Sequence, residues 1–329
     1  MTNAIEAFGL SKWYGSRRGV LDLEFTVGEG EVFGFLGPNG AGKTTTIRLL
    51  LGLLRPTSGR ATILGHDVWL DAPAAHAGVA YVSSEPAYLG ELSARDQLDY
   101  MARLRGLQPG AWRTMAERLE LDPGVQIRKL SRGNRQKVGV VQAFMGEEPL
   151  LVMDEPTSGL DPLMQREFLA IVAETRAAGR TIFLSSHNLP EVERACDRVG
   201  IIREGRLVDI STVAALQASH WRSVNLILAE PPAPGMFELP NVQVVSAAAR
   251  DVHLMVRGDV NALLHRLATV DVRDVSIASL EIEDVFLRLY EGETAAPPDE
   301  SETGTAGPAA RAPASPTGTA AAGAKEVER

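Results

Sequence analysis

Short apolar runs recur at Val32–Leu36, Val79–Val82, Leu150–Met153, Thr181–Leu184 and Val199–Ile202, and stretches of helical spacing separate them. A strand buried on both faces reads as a continuous apolar run, whereas a helix places apolar residues three and four apart. The alternation therefore predicts an α/β layer fold over residues 1–218. Thr44–Leu54 follows one such strand with helical spacing. Between Glu91 and Leu121 the strands disappear, and Leu98, Met101, Leu104, Met115 and Leu119 fall at helical intervals. That predicts an inserted helical subdomain at about 85–145. Beyond Ser219 the rhythm changes. Val224–Leu228, Val242–Val245, Val252–Val256 and Val270–Ile277 read as strands, and Val260–Leu267 and Glu281–Tyr290 as helices. They predict a small α+β accessory domain over 219–292. Residues 293–329 are dominated by Ala, Pro, Gly, Thr and Ser, too poor in apolar area to offset the entropy of ordering. A disordered tail is expected there.

Composition narrows the partners. The net charge of −9 over 329 residues opposes broad neutralisation of nucleic-acid phosphates. No nucleic acid partner is expected. The single cysteine, Cys196 in the stretch Glu191–Arg198, cannot form an internal disulfide and reads as a small apolar residue. No leader segment is visible at the N-terminus, and no run approaches the roughly 18 apolar residues of a membrane helix. A cytoplasmic protein is expected, and any membrane role must come through a partner.

The densest chemistry lies between the first apolar run and the helix after it. Gly37, Pro38, Asn39, Gly40, Ala41, Gly42, Lys43, Thr44 and Thr45 satisfy the GxxxxGK[ST] pattern in the order strand, loop, helix. Backbone N–H groups of such a loop turn inward around phosphates, and the helix directs its positive end at them. Lys43 is placed to reach the β- and γ-phosphates of a nucleoside triphosphate, and the Thr44 hydroxyl to hold Mg²⁺. A second strand, Leu150–Met153, ends in Asp154 and Glu155. Asp154 suits Mg²⁺, directly or through water, and Glu155 suits a general base toward the attacking water. The pair points to hydrolysis beyond binding.

Further motifs carry a family resemblance. Leu130-Ser-Arg-Gly-Asn-Arg-Gln136 resembles the LSGGQ signature of ABC ATPases, Ser158-Gly-Leu-Asp161 looks like their D-loop, and His187 matches their switch histidine. Tyr14 stands where the family stacks a ring on adenine, with Trp13 as its neighbour and rival. The motifs follow family order over roughly residues 5–215. The resemblance implies a P-loop NTPase of the ABC type with catalytic Lys43, Glu155 and His187. It also implies a head-to-tail dimer in which Ser131, Gly133 and Asp161 of one subunit close on the nucleotide of another. Only one ATPase domain is encoded, so the second is a copy of this chain or a paralogue. Asp161 either couples the subunits or simply caps the helix at Pro162.

Two positions depart from the family. Ser84 stands where a metal-ligating Gln is usual, which leaves either Ser84 or Glu85 toward Mg²⁺, with Glu85 proposed to take part of the relay to the permease. Arg132 replaces a signature glycine, and either weakens closure or adds a cationic contact. The loop run, the signature and the ending Leu280–Tyr290 resemble the branch energising export of antibiotics, other drugs or lipids, such as the daunorubicin and bacitracin resistance ATPases. In that branch the permease is a separate protein of about six spans. The resemblance places the chain on the inner face of the cell membrane through that partner, received by a groove of the helical subdomain and Ser84–Leu92. The accessory domain then either supports the dimer or caps the ATPase. A soluble ABC ATPase without a transport role, and an ATP-binding regulatory protein, are the alternatives.

Overall fold

The computed structural model describes residues 2–219 and 221–279. In chain order its elements are β1 (Asn3–Tyr14), β2 (Arg17–Gly28), β3 (Val32–Leu36), α1 (Lys43–Leu50), β4 (Ser58–Ile63), β5 (His66–Asp67), α2 (Ala72–Ala77) and β6 (Val79–Val82). The helical part follows with α3 (Ala94–Leu104), α4 (Arg113–Arg118) and α5 (Arg132–Phe144). Then come β7 (Leu150–Asp154), α6 (Pro162–Ala177), β8 (Thr181–Ser186), α7 (Leu189–Ala195), β9 (Arg198–Arg203), β10 (Arg206–Thr212) and α8 (Val213–Ser219). The last elements are β11 (Trp221–Leu228), β12 (Val242–Ala248), β13 (Asp251–Arg257), α9 (Asn261–Leu267) and β14 (Val272–Ser279).

The central sheet has the order β10-β9-β3-β8-β7-β6. All neighbours run parallel except β10, which adds antiparallel to β9. Every residue of β3, β7 and β8 is buried, which is why these strands read as unbroken apolar runs. The two-residue period divides their side chains between two cores. Leu150 and Val152 join α1 on one face, while Leu151 and Met153 join α3, α5 and α6 on the other. On the α1 face, Phe25, Phe33, Phe35 and Phe183 pack with ring centroids 5.5 to 6.1 Å apart. Burying each of these rings contributes about 2–3 kcal/mol.

That face is covered by an antiparallel sheet, β2-β1-β4-β5, which the apolar pattern does not reveal. The reason is irregular pleating. The β1–β2 pairing shifts register at four places, and Asp22 has φ 53°. Val20 and Leu23 both point inward across that bulge, despite odd spacing. β10 also escapes the pattern, because none of its residues is fully buried. It returns on β9 through Glu204 and Gly205, both at positive φ, the turn whose twist matches a hairpin.

From β6 to β7 the chain contains no strand. Ser93 caps α3 by accepting the Asp96 N–H at 3.1 Å, and Leu98, Ala102, Leu119, Val138 and Val141 form the core between the helices. Beyond α3, Arg105 donates to Glu148 at 2.7 Å and to the Gln142 carbonyl, tying the helical part to the start of β7. A third sheet, β12-β13-β11-β14, packs Val224, Leu226, Leu254 and Val256 against Leu263 and Leu267 of α9. The expected border at 218/219 falls inside α8, one residue before its end, and the described residues on both sides belong to one compact unit.

Several bounds differ from expectation. α1 ends at Leu50, not Leu54, because Leu53 and Leu54 turn their N–H groups back onto the Arg48 carbonyl. The last helix of the central layer stops at Ala195, leaving Cys196 just beyond it. There its thiol packs against Gly34, and burial first, then the charges of Glu191, Asp197 and Glu31, raise its pKa well above the ordinary value. β14 starts at Val272 instead of Val270. The expected helix at 281–290 and the tail from 293 lie outside the described residues. Among those described, no helix is long and apolar enough to cross a membrane.

Candidate nucleotide site

Four parallel strands deliver the candidate residues to one edge of the central sheet. Beyond the C-terminal end of β3 lies Gly37–Gly42, beyond β6 lie Ser83 and Ser84, β7 ends in Asp154 with Glu155 next, and β8 ends in Ser185 and Ser186 with His187 next. Register makes the convergence tight, since Leu36 pairs with Ser186 and Asp154 with Ser185. The carboxyl edge of an open α/β sheet is where such folds bind ligands.

Gly42 enters α1 at φ 112°, a conformation that L side chains rarely adopt, and no side chain caps the helix. The first N–H groups of α1 thus point into the loop without a side-chain acceptor, the arrangement that binds an anion. Lys43 is buried, and its Nζ donates to the Gly37 carbonyl at 2.6 Å and the Pro38 carbonyl at 3.1 Å. The same ammonium lies 3.1 Å from Glu155 Oε1. Lys43 is therefore held inside the loop it would complete around phosphates.

Asp154 is fully buried and receives three hydroxyls: Ser185 on Oδ1 at 2.7 Å, Thr44 on Oδ2 at 2.8 Å and Ser84 on Oδ2 at 3.0 Å. Of the two candidates beyond β6, Ser84 reaches this carboxylate. Glu85 is exposed and gives the local turn its backbone N–H, donated to Ser83 Oγ. No cluster of three His, Cys, Asp or Glu side chains among the described residues could hold a metal. The set around Asp154 is instead a carboxylate with hydroxyls, the hard oxygen donors Mg²⁺ takes when phosphates and water complete its shell. The donor set fits the ion.

Glu155 sits at φ 48°, an uncommon left-handed conformation, fixed by its N–H donating to the Ser185 carbonyl at 3.2 Å and hydroxyl at 3.1 Å. Its Oε2 lies 3.2 Å from His187 Nδ1. Lys43, Glu155 and His187 thus form one contiguous row. Behind it, half-buried Glu191 accepts the Thr157 hydroxyl at 2.8 Å and the Ser186 hydroxyl at 2.6 Å, and partial burial raises its carboxyl pKa. Sequence reading passed over Ser185, Ser186, Thr157 and Glu191. Two serines ending an otherwise apolar buried strand are a usable signal, whereas nothing local distinguishes Glu191 from any acid near a helix start.

Ser131, Gly133 and Asp161 form a cluster apart from this row. Ser131 caps α5 by accepting the Asn134 N–H at 3.2 Å, and Gly133 packs on the Gly159 backbone so closely that a β-carbon would collide with that carbonyl. Arg132 donates to the Ser158 hydroxyl at 3.1 Å. Asp161 caps α6, where the Met164 N–H first and the Leu163 N–H next hold its carboxyl below the ordinary range. None of these hydrogen bonds reaches Gly37–Thr45. Tyr14 and Trp13 are both exposed, and the Tyr14 ring lies against Gly19. Gly19 and Val20 in turn adjoin Gly42, so the Tyr14 ring borders the loop.

Comparisons with known proteins point to one family. A family model described as ABC transporter matches residues 20–158, from β2 through Glu155. The bacitracin transport ATP-binding protein BcrA of Bacillus licheniformis is 32% identical over 308 residues, covering 89% of this chain and 99% of that protein. The daunorubicin resistance ATP-binding protein DrrA3 of Streptomyces coeruleorubidus is 32% identical over 305 residues, covering 87% and 95%. A solved ATP-binding subunit of an ABC transporter superposes with a TM-score of 0.59 at 32% identity, covering 65% of this chain and 92% of that one.

Proposed function

The chain belongs to the ABC transporter family of ATP-binding subunits, and from that premise we propose that it hydrolyses ATP to drive a separate membrane permease exporting an antibiotic, another drug or a lipid. The observation that carries the hydrolytic part is the row Lys43–Glu155–His187 beside the hydroxyl-lined Asp154. The export part rests on likeness to the bacitracin and daunorubicin resistance proteins.

In this reading the loop backbone from Gly37 to Thr45 and the start of α1 bind the phosphates, and the Tyr14 ring stacks on the adenine. Thr44 and Asp154 hold Mg²⁺, with Ser84 in place of Glu85 as the third oxygen donor. When bound there, Mg²⁺ would supply positive charge to offset the negative charge developing on the transferred phosphoryl group. Lys43 exchanges the carbonyls and Glu155 for phosphate oxygens, since an ammonium gains more from the more highly charged anion. That exchange releases Glu155, whose carboxylate takes the proton of the attacking water while His187 holds its orientation.

Ser131, Gly133 and Asp161 bond only within their own turns, and we assign them to the nucleotide of a second subunit, a homodimer being the simplest pairing. The exposed Leu89, Tyr100 and Leu104 on the helical part offer an apolar landing for a permease of about six spans, on the cytoplasmic face of the membrane. Purification of the tagged chain from membranes of its own host tests the transport role. A stoichiometric polytopic partner and ATP turnover that responds to a transported compound are expected. A chain free of membranes, with turnover indifferent to them, would favour a soluble ATPase without a transport role.

A further inference from the structure

Glu191 is an expensive residue for a mere packing role. Its half-buried carboxyl lies beside Glu155 and His187, and burial raises its pKa, so an acid there carries a desolvation cost that an apolar side chain would not. Both of its oxygens are engaged by hydroxyls from different segments, Thr157 on Oε1 at 2.8 Å and Ser186 on Oε2 at 2.6 Å. Each of those hydroxyls lies next to the row that would do the chemistry. Thr157 is two residues beyond Glu155, in a turn closed by the Ser158 N–H on the Glu155 carbonyl at 3.1 Å. Ser186 immediately precedes His187.

The second half of the network closes on itself. Ser186 Oγ accepts the Asn188 N–H at 2.9 Å, and Asn188 Oδ1 accepts the Glu191 N–H at 3.3 Å. His187 is the middle residue of that closed turn, and its ring stands 3.2 Å from Glu155. We propose that Glu191 is a positioning residue for ATP hydrolysis: by receiving the Thr157 and Ser186 hydroxyls, it fixes the turn that carries Glu155 to the strand end that carries His187. The inference rests on the hydrolytic reading above. It concerns the rate of the chemical step, because none of the residues Glu191 holds lies in the phosphate loop.

The test is kcat and KM for MgATP in the full-length chain, with nucleotide affinity measured separately. A slight misplacement of reacting groups costs up to about 100-fold in rate, so Glu191→Ala is expected to lose about 10- to 100-fold in kcat with KM and affinity within about threefold. Glu191→Gln, whose amide can accept from Thr157 and donate to Ser186, retains most of the rate. Glu191→Leu, which fills the space without accepting, falls with the alanine variant. Full activity in Glu191→Leu, or a loss in Glu191→Gln as large as in Glu191→Ala, would overturn the assignment. If the Glu191 variants do not fold, Thr157→Val carries the test. Loss of that one hydroxyl is expected to lower kcat about three- to tenfold at unchanged KM, and an unchanged kcat would overturn the assignment. Equal turnover in wild type and Glu155→Gln would instead sink the hydrolytic reading itself, whatever Glu191 does.

Discussion

Lys43 and Glu155 are ion-paired at 3.1 Å, with Lys43 buried and Glu155 mostly so. The group that would clamp the γ-phosphate therefore occupies the group that would activate water.

Removing the ammonium should weaken nucleotide binding. Lys43→Ala deletes charge-assisted hydrogen bonds to phosphate, worth about 1.5–3 kcal/mol, so ATP affinity should fall about 10- to 100-fold. Titration with a fluorescent ATP analogue checks this, and an unchanged affinity would remove Lys43 from the phosphate site.

Ser84 should matter to the metal and Glu85 should matter less. The Ser84 hydroxyl reaches Asp154 Oδ2 at 3.0 Å, whereas the Glu85 carboxylate is exposed. Loss of a ligand-shell hydrogen bond worth about 1 kcal/mol should raise the Mg²⁺ concentration for half-maximal turnover about fivefold in Ser84→Ala. Glu85→Ala should shift it less. The reverse order, read from Mg²⁺ titrations of ATPase rate, would return the metal role to Glu85.

Glu148 joins Arg105 beyond α3 to Arg180 at the start of β8, all three largely buried. Burial pushes the Glu148 carboxyl up, but the Arg105 hydrogen bond, a backbone N–H and the two guanidinium charges outweigh it, and its pKa lies below the ordinary value. Glu148→Ala strands two buried cations and should cost about 3 kcal/mol. A lowered carboxyl stabilises the fold above its unfolded pKa and loses that contribution as pH falls through the folded one. Urea melts of both proteins should therefore differ most near neutrality and converge only in acid.

Glu191 has the opposite sign. Burial raises its pKa first, neighbouring Glu155 adds to this, and the Ser186 and Thr157 hydroxyls and the His187 charge oppose it. A raised carboxyl favours folding while protonated, and that contribution is lost as pH rises through the folded pKa. Glu191→Gln should therefore be more stable than wild type near pH 7, with the gain vanishing at about pH 4, the unperturbed carboxyl range. A variant less stable than wild type near pH 7 and equal to it at about pH 4 would show that the ionised carboxylate is what the fold needs.

The parallel strands and the loop were legible because their signals are local. Strands buried on both faces are continuous apolar runs, and the pattern from Gly37 to Thr45 occupies a single turn. What escaped depends on pairing between distant residues. The β1–β2 bulges hide an alternation that only the register restores, and the positive φ at Asp22 has no distinctive composition behind it. Asp154 and Glu155 could be read as an acidic pair at a strand end. That Asp154 gathers three hydroxyls from β8, α1 and the segment after β6 could not, since those residues lie 31, 110 and 70 positions away. Glu191 is the extreme case, its meaning set by partners contributed by two other segments.

Phosphate release from MgATP by wild type and Glu155→Gln measures the proposed chemistry most directly. An amide cannot take the proton of the attacking water but leaves the phosphate loop, Thr44 and Asp154 in place. Glu155→Gln is expected to bind ATP within a few-fold of wild type and to release phosphate at least about 100-fold more slowly, the scale of a lost general base. Equal rates in the two proteins would contradict the assignment of Glu155 as the base and, with it, the hydrolytic function.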